Sequence, residues 1–467
     1  MMRSMFSGVS GLKNMQMAMD VIGNNMANVN TPGFKRSRVV FQDTLYQAMR
    51  GGAAPTDNTG GTNPMGVGMG MSVSSVDQIH TGAAAQASSR LTDMAIDGNG
   101  YFIIKTNGET SYTRSGSFSF DKQGNLVASD GGQVQGWLAD LEGNIDASVS
   151  KITGVNIAAY NLMAPKATSE MGVTGNLDSK TEANDIAAGF DLATGVPADD
   201  TSETITKEYY DSLGNKEVLY FRFFRTVDDA TATPPTYSWN CDVSGDSKFG
   251  DADGDGTIDD TANIESVEPQ GTPVGGAGVI RYNKINFDKS GKLETDTSTP
   301  NTNTVSMSFT IDRSSVGADP VNITVDLKSL LQYNTDSTVQ VESQNGLPTG
   351  SLQSLTVGSD GVISGQYDNG QLKSLARVAL ANFRNPAGLQ QVGGNRFVTS
   401  TNSGDSMVGA PSSGGMGAIL PSSLEMSNVD LSEELTQMII VERGFTANSR
   451  IITTSDEMLQ ELANLKR

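Results

Sequence analysis

Apolar residues keep two rhythms along this chain, and each predicts its own kind of element. Near the start, Met5, Gly8, Leu12, Met15, Met19, Ile22, Met26 and Val29 follow one another at alternating steps of three and four. That spacing lines one side of an α-helix and predicts a coiled-coil-type seam. The helix is expected to stop in "NVNTPGF", because Pro32 disfavours helix at Thr31 and Gly33 breaks it further. Near the end, Leu435, Met438, Phe445, Ile452, Leu459 and Leu462 recur at intervals of 3, 7, 7, 7 and 3 and predict a second long helix. Asn428 or Asp430 offers its N-cap, and Glu433 and Glu434 place negative charge in its first turn. At ~1.5 Å per residue each helix would run roughly 40–50 Å.

Between the ends the rhythm shortens to that of strands and turns. "YFIIKTNGETSYTRSGSFSF" carries an Asn107–Gly108 hairpin turn between strand-like runs, and "DKQGNLVASDGGQVQGW" continues with turns at Gly124 and Gly131–Gly132. A second β region, at about 340 to 420, is punctuated by Gly358–Ser359–Asp360–Gly361 and Asn369–Gly370. A Thr/Asp-rich stretch with strand runs such as "EVLYFRFF" lies between them, and "RGGAAPTDNTGGTNPMGVGMGM" (50–71) reads as a Gly/Pro/Met-rich linker. The expected fold is therefore multidomain and mainly β, with a coiled-coil-like helical domain formed by the two terminal segments. Its expected parts are an inner helical domain (1–34 and 428–467), a connecting linker (35–72), a β-rich middle domain (73–145 and 340–427) and an inserted outer β region (146–339). An extra insert near 226–278 is left open.

"VIGNNMANVNTPGF" complicates the first helix. Gly23, Asn24, Asn25, Asn28 and Asn30 are poor helix formers, and residues 1–34 hold only Arg3, Lys13 and Asp20 as charges. A face of amides and glycine suits contact with other helices, including copies of the same chain, better than it suits water. The alternative is a two-helix hairpin packed within one chain on its β domain.

Composition narrows the function classes. The 467 residues include 52 glycines, 37% apolar residues and 6% aromatics, a balance that favours short strands and turns. With 32 basic and 53 acidic residues the net charge is −21, which argues against nucleic acid or an anionic membrane surface as partner. No stretch reaches the ~20 apolar residues of a membrane helix, so no membrane insertion is expected. The first twenty residues lack the apolar core and small-residue cleavage site of a cleaved signal peptide, so export with a retained N-terminus is expected. Cys241 stands alone and rules out an intrachain disulfide; the plain expectation for it is a small residue in a strand.

Four ordered blocks carry a resemblance. They are "SGVSGLKNMQMAMDVIGNNMANVNTPGFKRSRVVFQDTLYQ", "YTRSGSFSFDKQGNLVASDGGQVQGW", "GQYDNGQLKSLARVALANFRNPAGLQQVGGNRFVTSTNSGD" and "LEMSNVDLSEELTQMIIVERGFTANSRIITTSDEMLQELANLKR". Together they resemble the rod and hook axial protein family of the bacterial flagellum. The "MDVIGNN" wording and the chain length resemble its hook-type members, with a distal rod or other axial subunit as the alternative. The resemblance implies a structural subunit, not an enzyme, that polymerises into a flexible helical tube coupling motor rod to filament, outside the cell. Implied partners are copies of itself, rod proteins, the hook cap, the hook–filament junction proteins and the type III export apparatus. The subunit interface it implies uses the two stripes named above, with Asn24, Asn25 and Asn28 bonding across subunit contacts or facing the channel. The terminal segments would then order on assembly. Phe41 and Leu45 of "FQDTL" resemble a short export element, and Cys241 with a lysine resembles the covalent intersubunit link thought to join some hook subunits.

Other signals point elsewhere. "DADGDGTIDD" sets Asp251, Asp253 and Asp255 at positions 1, 3 and 5 of a calcium loop, with Gly256 at position 6. Position 12 is Ala262, so Asp259 or Asp260 would have to substitute as ligand; a solvated acidic turn is the plain alternative, and a secreted calcium-binding adhesive module the distant functional one. No other cofactor is expected. His80 is the only histidine, which excludes His clusters for metals and Ser-His-Asp catalysis.

Overall fold

The computed structural model describes residues 2–55, 59–185, 201–229, 236–245, 249, 264–265, 271–274, 279–294, 305–311, 313 and 316–464. It divides into two compact units: Met1–Asn161 with Gln353–Gln366 and Leu372–Arg467, and Leu162–Leu352 with Tyr367–Gln371.

In the first unit, helix α1 (Met2–Ala27) and helix α2 (Leu431–Asn464) pack antiparallel. Ser4 meets Ser455 at one end and Asn25 meets Glu434 at the other. Of the two cap candidates, Asp430 holds the N-terminus of α2: its carboxylate accepts the backbone N–H of Ser432 (2.8 Å) and Glu433 (3.3 Å). Asn428 instead accepts the Arg36 backbone N–H (2.8 Å) and donates to the Ile79 carbonyl (2.8 Å). After α1 the chain turns at Gly33, whose φ of +72° and 2.5 Å clearance between an added Cβ and the Ser115 nitrogen leave room for glycine alone.

Residues 50–71 depart from the linker expected there. Strand β1 (Ser37–Asp43) pairs antiparallel with β4 (Met71–Gln78), and β2 (Tyr46–Arg50) with β3 (Met65–Gly68), so one long hairpin ribbon runs out and back. Glycines hide the alternation from a sequence reading. Tyr46 lies opposite Gly68 and its ring covers Gly66 and Gly68, supplying the packing surface those glycines lack.

The rest of this unit is an antiparallel β body. Tyr101–Thr106 pairs with Glu109–Thr113 through the expected Asn107–Gly108 turn, both residues at positive φ as a two-residue hairpin loop demands. Gln133–Leu138 joins it on one side and Arg396–Val398 on the other. "YFII" is continuous because both sheet faces are covered. Phe102 and Ile104 pack with Phe118, Leu126 and Val134, while Tyr101 and Ile103 pack with Tyr112, Trp137 and Phe397.

The second unit is a sandwich. One sheet centres on Lys216–Asp229 and Thr236–Ser244, the other on Val321–Tyr333 with Glu170–Asp178 running parallel to it. Alternate residues such as Phe221, Phe223, Phe309, Val325 and Leu327 share one core between them. On the opposite face of the first sheet, at positions alternating with Phe221, Phe223, Cys241 and Val243, Asp242 accepts two hydrogen bonds from the Arg281 guanidinium (2.6 and 2.7 Å) and one from Arg222 (2.8 Å).

Candidate assembly interface

The seam between the helices is narrow and partly polar. Ala18, Ile22 and Val441 are buried at its centre, with Met15, Met19, Met26 and Met438 packed around them. Towards the α1 N-terminus the gap closes on glycine: a Cβ on Gly8 would lie 3.3 Å from Ile452 Cγ1, and one on Gly11 only 2.6 Å from Asn448 Nδ2. Met5, Leu12, Ile452 and Leu459 are half-buried, and Val29 is half-buried in the turn beyond α1.

Two residues of the α2 stripe expected at the subunit interface lie off this seam within the chain. Leu435 and Phe445 are exposed. The α2 positions that meet α1 include Glu434, Asn448 and Ser455, which an apolar count passes over, so the apolar repeat drifts away from the true contact line. The side chain of Leu462 lies outside the described residues.

The asparagines act within the chain. Asn25 is buried; it donates to the Ser37 carbonyl (2.8 Å) and Glu434 Oε1 (3.1 Å) and accepts the Ser37 N–H (3.0 Å). This corrects the expectation that it bonds across subunits or faces a channel: its second hydrogen bond to the ribbon fixes it in place. Asn28 donates to the Asn24 carbonyl and side chain (2.9 Å each) at the frayed end of α1, while Asn24 itself is exposed.

Just below the helix pair sits a buried ionic cluster that the sequence did not announce. Glu425 accepts from Lys35 Nζ (2.6 Å) and Arg114 Nη1 (3.3 Å), and Lys35 also donates to the Thr81 carbonyl (2.6 Å). Burial pulls the Lys35 pKa down against the opposing pull of Glu425. Next to it Tyr101 Oη lies 2.9 Å from His80 Nδ1, and burial, reinforced by Lys35 and Arg114, lowers the His80 pKa to about 4. The cluster joins segments far apart in sequence: the residues after α1, the start of the β body and the residues before α2.

Beyond the seam, large apolar side chains face outward. Phe6 (66% exposed), Val9 and Met17 occupy the side of α1 opposite Gly11, Met15, Ala18 and Ile22. On α2, Leu431, Leu435 and Ile439 follow at steps of four on one flank of the seam. Ile440 (64% exposed), Ile451 and Met458 share a meridian on the other flank, 11 and 7 residues apart. Phe41 and Leu45 are exposed, with Phe41 on β1.

Cys241 is fully buried in its strand, where burial pushes its thiol well above the usual range; as placed, it is a strand residue in a core with no surface for a covalent link. Asp251, Asp253, Asp255, Asp259 and Asp260 lie outside the described residues, and among the described residues no three His, Cys, Asp or Glu side chains are grouped to hold a metal. No helix among the described residues is long and apolar enough to cross a membrane.

Four family models match in order along the chain. They are the flagella basal body rod protein (5–35), the flagellar hook protein FlgE/F/G D1 domain (95–171), the flagellar basal body protein FlaE D2 domain (176–347) and the flagellar basal body rod FlgEFG protein C-terminal region (420–465). The flagellar hook protein FlgE of Borreliella burgdorferi is 37% identical over 483 residues, and that of Treponema pallidum 35% over 496 residues, each covering 100% of both chains. A Bacillus subtilis relative named flagellar basal-body rod protein FlgG is 28% identical over 468 residues, again covering 100% of both. Chain length, read from the sequence as a mark of hook-type members, therefore does not divide them from rod members; the 35–37% identity to these two hook-named relatives, against 28% to the rod-named one, favours the hook. The chain belongs to the flagellar hook protein family and is a structural hook subunit.

Proposed function

We propose that the chain polymerises through its terminal helix pair into the tube of the hook, a flexible coupling between rod and filament. One observation carries this reading. The seam between α1 and α2 is already closed, yet Phe6, Val9, Leu435, Ile439, Ile440, Phe445 and Ile451 remain in solvent along the outer faces of both helices. So many large apolar side chains exposed on the outer faces of a paired helical element mark surfaces that other chains cover. An isolated pair of such helices is marginal in water, so burial between copies supplies the missing stabilisation. The β units then bear the contacts that exchange as the joint turns.

On this reading the chain leaves the cell through the type III export apparatus with its N-terminus retained, and Phe41 and Leu45 are open to recognition before β1 and β4 pair. Rod proteins, hook cap and junction proteins are its partners at the two ends of the polymer.

Hydrogen exchange on purified monomer and on assembled polymer, followed over residues 1–34 and 430–467, tests the reading. Fast exchange in the monomer that turns to protection on assembly is the expected result. Equal protection in both states would mean that the helices complete their packing within one chain, and would overturn the assembly role given to them.

A further inference from the structure

We propose that the groove where α1, α2 and β1 meet is the seat for α1 of a second copy, with Met17 as the inserted side chain and Lys13 and Asp20 as flanking charges. The proposal deepens the polymerisation reading above and rests on it.

The groove contains a cavity of about 70 Å³, floored by Ala18, Ile22, Val39 and Val441. Its rim is charged with both signs. Arg36 pairs with Glu433 at 2.5 Å, and Arg38 stands largely exposed, 3.7 Å from Asp77. An occupant therefore needs a slender apolar tip with an acid and a base close beside it. An unbranched thioether side chain fits a narrow, irregular hole better than a branched or aromatic one.

The outward face of α1 has that pattern. Within residues 2–27 the only charges are Arg3, Lys13 and Asp20. Two of the three bracket exposed Met17, Lys13 one turn before it and Asp20 one turn after, and both are exposed on the same side of the helix. Asp20 is complementary to Arg38, whose partner Asp77 is distant and solvated, and Lys13 to Glu433.

Symmetry supports the same occupant. Met17 faces away from the seam while the cavity opens beside it, so donor face and seat are different surfaces of one chain. Such a contact is heterologous and propagates from copy to copy, as a tube requires, where a self-complementary patch would close a dimer.

The test is a cysteine pair, Met17→Cys with Val39→Cys, oxidised after polymerisation; buried Cys241 does not compete. A ladder of covalent multimers on a denaturing gel is expected. Polymer that forms without a ladder overturns the seat and leaves polymerisation standing, whereas an unsubstituted chain that forms no polymer overturns the reading beneath it. A charge pair tests the contact independently. Asp20→Arg and Arg38→Asp should each raise the critical concentration for assembly about tenfold, and together return it to within about threefold of the parent. Absence of that recovery overturns the proposal, and where the cysteines block assembly the charge pair decides by itself.

Discussion

Asn448 of α2 lies against Gly11 of α1 so closely that a Cβ on Gly11 would stand 2.6 Å from its Nδ2 and 2.8 Å from its Cγ. The two helices approach here on the strength of a missing side chain. Gly11→Val should force them apart and raise the critical concentration for polymerisation by about tenfold or more, since overpacking costs about 1–3 kcal/mol. Asn448→Ala in the same chain should recover most of that loss by vacating the space. A sedimentation assay on the two single variants and the double variant reads this directly; a double variant no better than Gly11→Val would place the strain elsewhere.

Asn25 ties three elements together with one amide. Its loss in Asn25→Leu strips the Ser37 backbone N–H and carbonyl of their partners and leaves Glu434 without its amide donor. The Glu434 carboxyl is already pushed up by burial, so removing the amide that favours its charged form raises it further. A cost of about 1–3 kcal/mol is expected, felt where the ribbon meets α1. Amide exchange at Ser37 should quicken markedly while exchange in the second unit stays unchanged.

At the start of α2, Asp430→Ala removes the cap bonds to Ser432 and Glu433 and exposes their N–H groups. About 1 kcal/mol is expected, concentrated in the first turn. Asp430→Asn keeps an acceptor and should recover most of it. Exchange of the Ser432 and Glu433 amides separates the two variants, and equal exchange in both would show that charge, rather than the accepted hydrogen bond, holds the turn.

These residues also show how far the sequence could be read. The stripe from Met5 to Met26, the stop after it, the Asn107–Gly108 hairpin and the strand nature of "EVLYFRFF" all rest on local spacing or turn chemistry, which a single chain displays directly. Leu435 and Phe445 share the spacing of the α2 stripe yet stay exposed in one chain, because apolar residues on α2 outnumber the positions one partner helix covers. Glu434, Asn448 and Ser455 were invisible because polar residues enter a contact line only when a partner such as Asn25, Gly11 or Ser4 faces them. The Lys35–Glu425–Arg114 cluster was hidden for the same reason: Glu425 lies more than 300 positions from both cations, and nothing local marks a charge as buried. The ribbon escaped notice because glycine dilutes its alternation, although Tyr46 over Gly66 and Gly68 is a cross-strand signal once the register is known.

His80 links that hidden cluster to pH. It sits edge-on to Tyr101 and Phe397, hydrogen-bonded through Nδ1 to the Tyr101 hydroxyl, with the Lys35 and Arg114 charges nearby. Burial first, and those two cations second, lower its pKa from 6.5 to about 4. The folded state therefore prefers the neutral ring more strongly than the unfolded chain does. Its contribution is fully present above about pH 6.5 and is lost as pH falls towards about 4, amounting to about 3 kcal/mol at most. Thermal unfolding of the parent and of His80→Gln at about pH 7 and about pH 4.5 isolates this share, because every other titrating group is common to both chains. The parent should lose more stability than the variant on acidification, so the gap between them narrows or reverses at the lower pH. A gap that stays constant would mean the ring gains a proton at no cost, and that the cluster around Glu425 is open enough to accept a third positive charge.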